Sequence, residues 1–215
     1  MIDAATNSKN ETAAYHHGDL RRTLIAAALE LAAEGKDWNF SLREVARRAG
    51  VSHNAPYNHF AHKRELMAAA AIAGHEALRA EVVAALAKSR DPRAAISRMG
   101  SAYVEFGIQN AALYQLMFNA PLSAPDWKPE GVVTAYAETR RVVEDVIRAG
   151  VAKGLFPPAV SRKGNLQTAS LFAWSAVHGL TMLAINGLAN VEEGSFDRVT
   201  EKVMDMVLDG MGHKE

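Results

Sequence analysis

Three groups of side chains stand at spacings that invite chemistry. His53, His59 and His62 lie close together, and neighbouring imidazoles suggest a metal site. No carboxylate at the spacing of a His-Glu-x-x-His helix accompanies them, and the adjacent His16 and His17 cannot share one helical face, so no metal is expected. Trp174 and His178 are four residues apart, which on a helix puts indole and imidazole on a common wall. Glu144-Asp145 and Glu192-Glu193 pair carboxylates, but adjacent residues diverge, and neither pair has a setting that would tune one as acid and the other as base. No phosphate-cradling Gly loop or nucleophile elbow is present. No cofactor is therefore expected, and catalysis would rest on a cavity around His178 alone.

The elements that must position these residues are helices. Residues 18–35 put Leu20, Leu24, Ala28, Leu31 and Ala32 on one face, with Asp19 near the start and Gly35 at the end. Ser41 opens a second helix carrying Leu42, Val45, Ala46 and Ala49, and Gly50 stops it. Ser52 can cap a third, very short helix ending near Phe60. Longer helices are expected at 63–89, from Asp91-Pro92 to 110, and at 130–154, 165–189 and 195–210, with a shorter one at 113–118. The prolines at 121, 125 and 129 make 119–129 a loop, in which Trp127 is a candidate lid or simply an anchor for the loop. Neither an alternating strand pattern nor a long repeat is visible, so the predicted fold is all-α.

The stretch 41–64 is the informative one. Two short helices joined by a Gly-containing turn form the helix-turn-helix pattern, which sets its second helix in the DNA major groove. Ala46 is small where the helices cross, Gly50 permits a left-handed turn, and Val51 plugs the space between. Tyr57 and Phe60 must divide their duties, since both rings are natural plugs for so small a unit.

Ser41-Leu42-Arg43-Glu44-Val45-Ala46, Ala49-Gly50-Val51-Ser52 and Tyr57-Asn58-His59-Phe60, followed by Lys63 and Leu66, resemble the TetR/AcrR-type transcriptional regulators. Asn54 stands where that family often has glycine, and Pro56 where it commonly has a bulky aliphatic residue. The resemblance implies that Ser41 caps its helix and touches a phosphate, and that Arg43 reaches a base edge or the backbone. It puts Ser52 at the outward-facing start of the third helix and His53, Asn54 and Asn58 toward the groove, where Asn can pair with adenine. Tyr57, His59 and Lys63 would hold phosphates and set register. A merely solvated helix face accounts for the same polar residues.

Trp174-Ser175-Ala176-Val177-His178-Gly179 resembles a Trp-His-Gly type of C-terminal domain in some members, and Leu113 to Phe118 matches another element of it. The resemblance implies a homodimer that binds a palindromic double-stranded DNA operator, with a small-molecule effector in a larger C-terminal helical domain. Tyr103, Phe106, Met117, Phe118, Trp174 and His178 are the candidate effector-binding residues; plain core packing is the competing reading. A ligand-responsive repressor is the expected function. The alternative is a helical small-molecule-binding protein or enzyme built around His178. The expected division is a disordered arm at 1–14, a DNA-binding unit at 15–64 and an effector and dimerisation unit at 65–215.

Composition narrows these choices. The 215 residues carry 24 Lys+Arg against 24 Asp+Glu, which excludes a globally basic nucleic-acid binder. The neutrality is an average: Arg43, Arg47, Arg48, Lys63 and Arg64 oppose only Glu44 within 41–64. The absence of cysteine fits a reducing cytoplasm, and no secretory signal is expected. Residues 164–191 hold no charged side chain, yet the Asn, Gln, Ser, Thr and His among them argue against a membrane span. A helix buried on most sides, in a core or subunit interface, is expected instead.

Overall fold

A computed structural model describes residues 5–118, 129–162, 164–189 and 196–212, with side chains from Leu20 onward. Among these residues there are eight α-helices and no strand: α1 Ala5–Gly35, α2 Leu42–Arg48, α3 Lys63–Ala87, α4 Pro92–Gln109, α5 Ala111–Phe118, α6 Glu130–Ala152, α7 Asn165–Ile185 and α8 Phe196–Gly212. Short 3-10 turns at Ala55–Asn58 and Pro158–Ser161 complete the chain path. The fold is all-α, as expected.

Local chemistry sets most boundaries. Ser41 caps α2 in a capping box: its Oγ accepts from the Glu44 N–H at 3.2 Å, while the Ser41 N–H donates to Glu44 Oε2 at 2.7 Å. Asp91 caps α4 through the Ala94 N–H at 2.9 Å, ahead of Pro92. Gly50 has φ 69°, so the turn after α2 uses the left-handed region as expected.

Three expectations need correction. α1 begins at Ala5 rather than at 18; its added segment has no proline and contains several good helix formers. Asp19 is therefore interior to a helix, not at its start. The third, very short helix expected to be capped by Ser52 is a 3-10 turn at Ala55–Asn58, with Asn54 at its N-cap and no side-chain cap. Pro56, lacking an N–H and fixed in φ, favours so short a turn. α7 stops at Ile185, not 189, because Gly187 at φ 67° lets the Leu188 N–H turn back to the Leu183 carbonyl at 2.8 Å. Of the two settings expected for α7, core or subunit interface, the core covers part of it: Leu166, Ser170, Val177 and Thr181 are buried, while Leu171, Phe172 and Leu183 are exposed. α7 is long and apolar enough to cross a membrane by length and composition. The loop expectation at 119–129, including the Trp127 lid, lies outside the described residues except for Pro129.

α3 is the spine. Its buried line runs through Leu66, Ala70, Ala71, Gly74, His75, Leu78 and Val82, and it packs against α1, α4, α5 and α6. The buried alanines let those helices approach closely, so burial along α3 fixes their positions with little side-chain entropy lost. α4 in turn packs on α7 and α8. A Cβ at Gly107 would overlap Thr181 Cγ2 and reach Tyr114 Cδ2 at 3.0 Å, so glycine sets the α4–α7 distance.

Candidate functional site

The N-terminal unit is held by its small core. Ala46 and Val45 are fully buried under Leu24 and Ala28, and Val51 packs against the same cluster. Phe60 is buried with the Arg21 guanidinium 5.3 Å above its ring, whereas Tyr57 is 50% exposed. The two rings thus divide as plug and outward contact. Arg48 ties α2 to α1, with Nη1 and Nη2 on Glu34 at 2.8 and 2.5 Å and a longer contact to Glu30. That pairing holds the Glu34 carboxyl below its ordinary pKa.

Around this frame Ser41, Arg43, Ser52, His53, Asn54, Tyr57 and Asn58 are all exposed, so the turn and both flanking elements present one polar surface. Arg47 is exposed too, one turn beyond Arg43 on the same face of α2, and it was missed among the candidates. Its i+4 spacing from Arg43 was the available signal. His59 is half-buried, its ring tilted against Phe60 with centroids 6.5 Å apart. Lys63 turns inward: Nζ donates to the Trp38 carbonyl and lies 5.1 Å from the Phe40 ring centroid. Partial burial pulls its pKa below the ordinary lysine value, against the attraction of Asp37 and Glu44. Ser41 also donates its hydroxyl to Glu44 at 2.8 Å. Two groups assigned to phosphate by resemblance are thus engaged within the chain.

α1 packs on α3 and α5, and a hydrogen bond adds to that seam. The Trp38 indole N–H donates to the Ala112 carbonyl at 3.0 Å, joining the α1–α2 turn to the first turn of α5.

In the body, Tyr114 Oη lies 2.8 Å from Tyr103 Oη and 2.6 Å from His178 Nδ1, and the Trp174 indole N–H donates to Tyr103 Oη at 3.1 Å. Trp174 stacks on His178, as the i, i+4 spacing required, with centroids 4.8 Å apart. Burial pushes both tyrosine pKa values up and the His178 value down, so all three are neutral near pH 7. Beside this cluster, with wall residues from each of α3 to α8, lies a partly open apolar cavity of about 50 Å³. Of the six expected pocket residues, Tyr103, Phe118 and Trp174 line it. Phe106 and Met117 are buried but do not line it, and His178 is bonded to Tyr114 instead.

α6 supplies wall residues that sequence reasoning missed: Tyr136, Thr139, Arg140, Val143, Val146 and Ile147. The signal was Arg140 standing in an otherwise apolar stripe, four residues after Tyr136 and three before Val143. His75 was also missed. It is buried against Phe118 and Tyr136, and neither ring nitrogen meets a partner at hydrogen-bond geometry among the described residues. Burial lowers its pKa to about 4, with the backbone of Met117 pulling weakly the other way.

Comparison with known proteins matches both regions. Residues 24–70 match the bacterial regulatory proteins of the tetR family, and residues 96–207 match the tetracyclin repressor-like C-terminal domain. A solved protein of unknown function from Rhodococcus sp. RHA1 is 30% identical over 93% of this chain and 98% of its own, with a TM-score of 0.78. A regulatory protein in the tetR family from Rhodococcus RHA1 is 21% identical over 91% and 98%, at a TM-score of 0.66. The fatty acid degradation regulator FadR from Bacillus halodurans shares the fold at 12% identity, over 88% and 98%, with a TM-score of 0.69. No curated protein sequence matches significantly.

Proposed function

The chain belongs to the tetR family of bacterial regulatory proteins and is a DNA-binding transcriptional regulator, and from that premise we propose that it is a ligand-responsive repressor binding palindromic operator DNA as a homodimer. The observation that carries this reading is one chain holding an exposed polar turn unit on α2–Gly50–Asn58 and an apolar cavity in its body. Residues 15–64 act as the reading unit and residues 65–215 as the effector and dimerisation unit.

On DNA, His53, Asn54 and Asn58 face base edges, with Ser52 at the entry to the turn. Arg43, Tyr57 and His59 hold the backbone, and the exposed Arg47 adds a further phosphate contact. Ser41 and Lys63 contribute on contact with phosphate, which competes with Glu44 for the serine hydroxyl and with the Trp38 carbonyl for the ammonium.

The dimer reading is supported by α7, whose Leu171, Phe172 and Leu183 are exposed, and by Met206 on α8, which is 71% exposed. A second copy covering this face removes apolar surface from water and gives two reading units related by a two-fold axis. The C-terminal half is of the Trp-His-Gly type; the stacked Trp174 and His178 support that assignment. His178 serves the polar cluster rather than catalysis, and the protein acts without turnover in the cytoplasm, where its operator lies.

An effector in the cavity spreads α6 from α3 and α4. α3 begins beside the reading unit and continues along the cavity wall, so it acts as the lever that alters the spacing of the two units. Operator affinity then falls by the coupling energy, commonly ~1–3 kcal/mol. The test is selection of bound DNA from a random pool, followed by affinity measurement over a salt series. Log affinity should fall linearly with log salt, and Arg43→Ala and Tyr57→Ala should each weaken binding at least about tenfold. Unchanged binding by both variants, or a selected site without two-fold symmetry, would overturn the reading.

A further inference from the structure

The cavity wall carries a chemical specification beyond being apolar. Of the residues lining it, Arg140 alone is charged. The other polar groups at the wall are mostly engaged: Tyr103 by Tyr114 and Trp174, and Thr139 by the Ala135 carbonyl at 3.0 Å. A ligand rich in ring nitrogens or carbonyls would leave them unsatisfied there, at a cost for each. Much of the remaining wall is aliphatic or methionine, including Val82, Ile96, Met99, Val143 and Met204, which suits a flexible hydrocarbon that adapts along with it.

Arg140 is the exception with capacity to spare. Among the described residues its one hydrogen bond is a long contact from Nη2 to Glu144 Oε1 at 3.4 Å, out of the five N–H donors a guanidinium owns, and its side chain is 37% exposed. Glu144 is shared, lying 3.7 Å from Arg148, which has its own partner in Asp145 at 2.8 Å. Tyr136, one turn earlier on the same face, makes no hydrogen bond among the described residues and stands against Trp174 and Phe118. A partly exposed guanidinium and a phenol one turn apart, at the edge of an apolar cavity, can both donate to a single acceptor there.

Deepening the effector reading, on which it rests, we propose that the cavity takes a flexible aliphatic carboxylate. Its hydrocarbon lies along the α6 valines and its carboxylate lies on Arg140. A planar guanidinium pairs with a carboxylate through two parallel N–H bonds, which a neutral hydroxyl of the same chain length cannot reproduce.

The test uses the full chain and three probes: Nile red as a neutral apolar dye, decanoate, and decanol. Wild type should bring out dye emission, and decanoate should displace the dye at about tenfold lower concentration than decanol. Arg140→Lys should keep a reduced preference for decanoate, and Arg140→Gln should abolish it while helicity and thermal unfolding stay as in wild type. Equal displacement by decanoate and decanol in wild type, no displacement by decanoate, or a preference that survives Arg140→Gln would overturn the carboxylate assignment and leave the cavity reading standing. Val143→Trp and, independently, Val146→Trp fill the cavity and should each lose dye emission. Emission retained by both filled variants would show that the dye binds elsewhere, and the effector reading would fall together with the carboxylate assignment.

Discussion

The reading unit and the body treat polar groups in opposite ways. Around the turn, polar side chains face water and bond to near neighbours in sequence, as Ser41 does to Glu44. In the body they are enclosed and bond across helices far apart in the chain, as Tyr114 does to His178 and Trp174 to Tyr103. An exposed polar surface is open to a partner and contributes little to stability. An enclosed one is a structural commitment, because each atom left without a partner costs its full desolvation penalty. Substitutions should therefore separate: changes in the body move stability at constant DNA affinity per folded molecule, and changes at the turn lower DNA affinity with a smaller cost in stability.

The largest expected effect lies in the body. Gly107→Ala forces a methyl into Thr181 and Tyr114 across the α4–α7 contact, and should cost about 3 kcal/mol in urea unfolding. Tolerance of that methyl would show that the two helices can shift apart.

Tyr114→Phe comes next. It strips the hydroxyl shared by Tyr103 and His178 and should cost about 2 kcal/mol while leaving operator affinity unchanged; a loss of affinity at full stability would break the separation.

His75 supplies a pH-dependent version. Its pKa is 6.5 as an ordinary histidine and about 4 in the folded chain. Between those values the unfolded chain binds a proton that the folded chain refuses, so stability is full above the ordinary value and falls as pH drops through the window. From pH 7 to pH 5 the loss should be roughly 1.5–2 kcal/mol, and His75→Leu should flatten that slope. An unchanged slope in the leucine variant would place the titrating group elsewhere.

The smallest effect belongs to the turn. Ser41→Ala removes the α2 cap and should cost about 1 kcal/mol, with a loss of DNA affinity beyond what the unfolded fraction explains. An affinity change that tracked stability alone would make Ser41 a cap and nothing more.

The same contrast explains what could be read from the chain. Ser41, Ala46, Gly50 and Phe60 report on the turn unit because caps, crossings and left-handed turns demand particular residue types at short, fixed spacings. Trp174 and His178 were legible as a shared wall for the same reason. The cavity was only half legible, since its wall draws on six helices and sequence spacing says nothing about which of them converge. Arg140 and His75 sit at apolar positions of α6 and α3, and a polar residue on such a line was the signal available. The start of α1 and the end of α7 were misread for local reasons: helix formers extend the first, and Gly187 cuts the second short.

Trp38 has a mechanical consequence. Its indole N–H is pinned to the Ala112 carbonyl while its own carbonyl receives the Lys63 ammonium at the start of α3. The reading unit is consequently mounted on the body at two points, along α3 and through α5. A single strut leaves its load free to swivel about the strut axis, whereas two fixings convert a tilt of either one into a rotation of the whole mount. α5 also carries Phe118 to the cavity wall, so the second fixing and the cavity share one rigid rod barely two turns long.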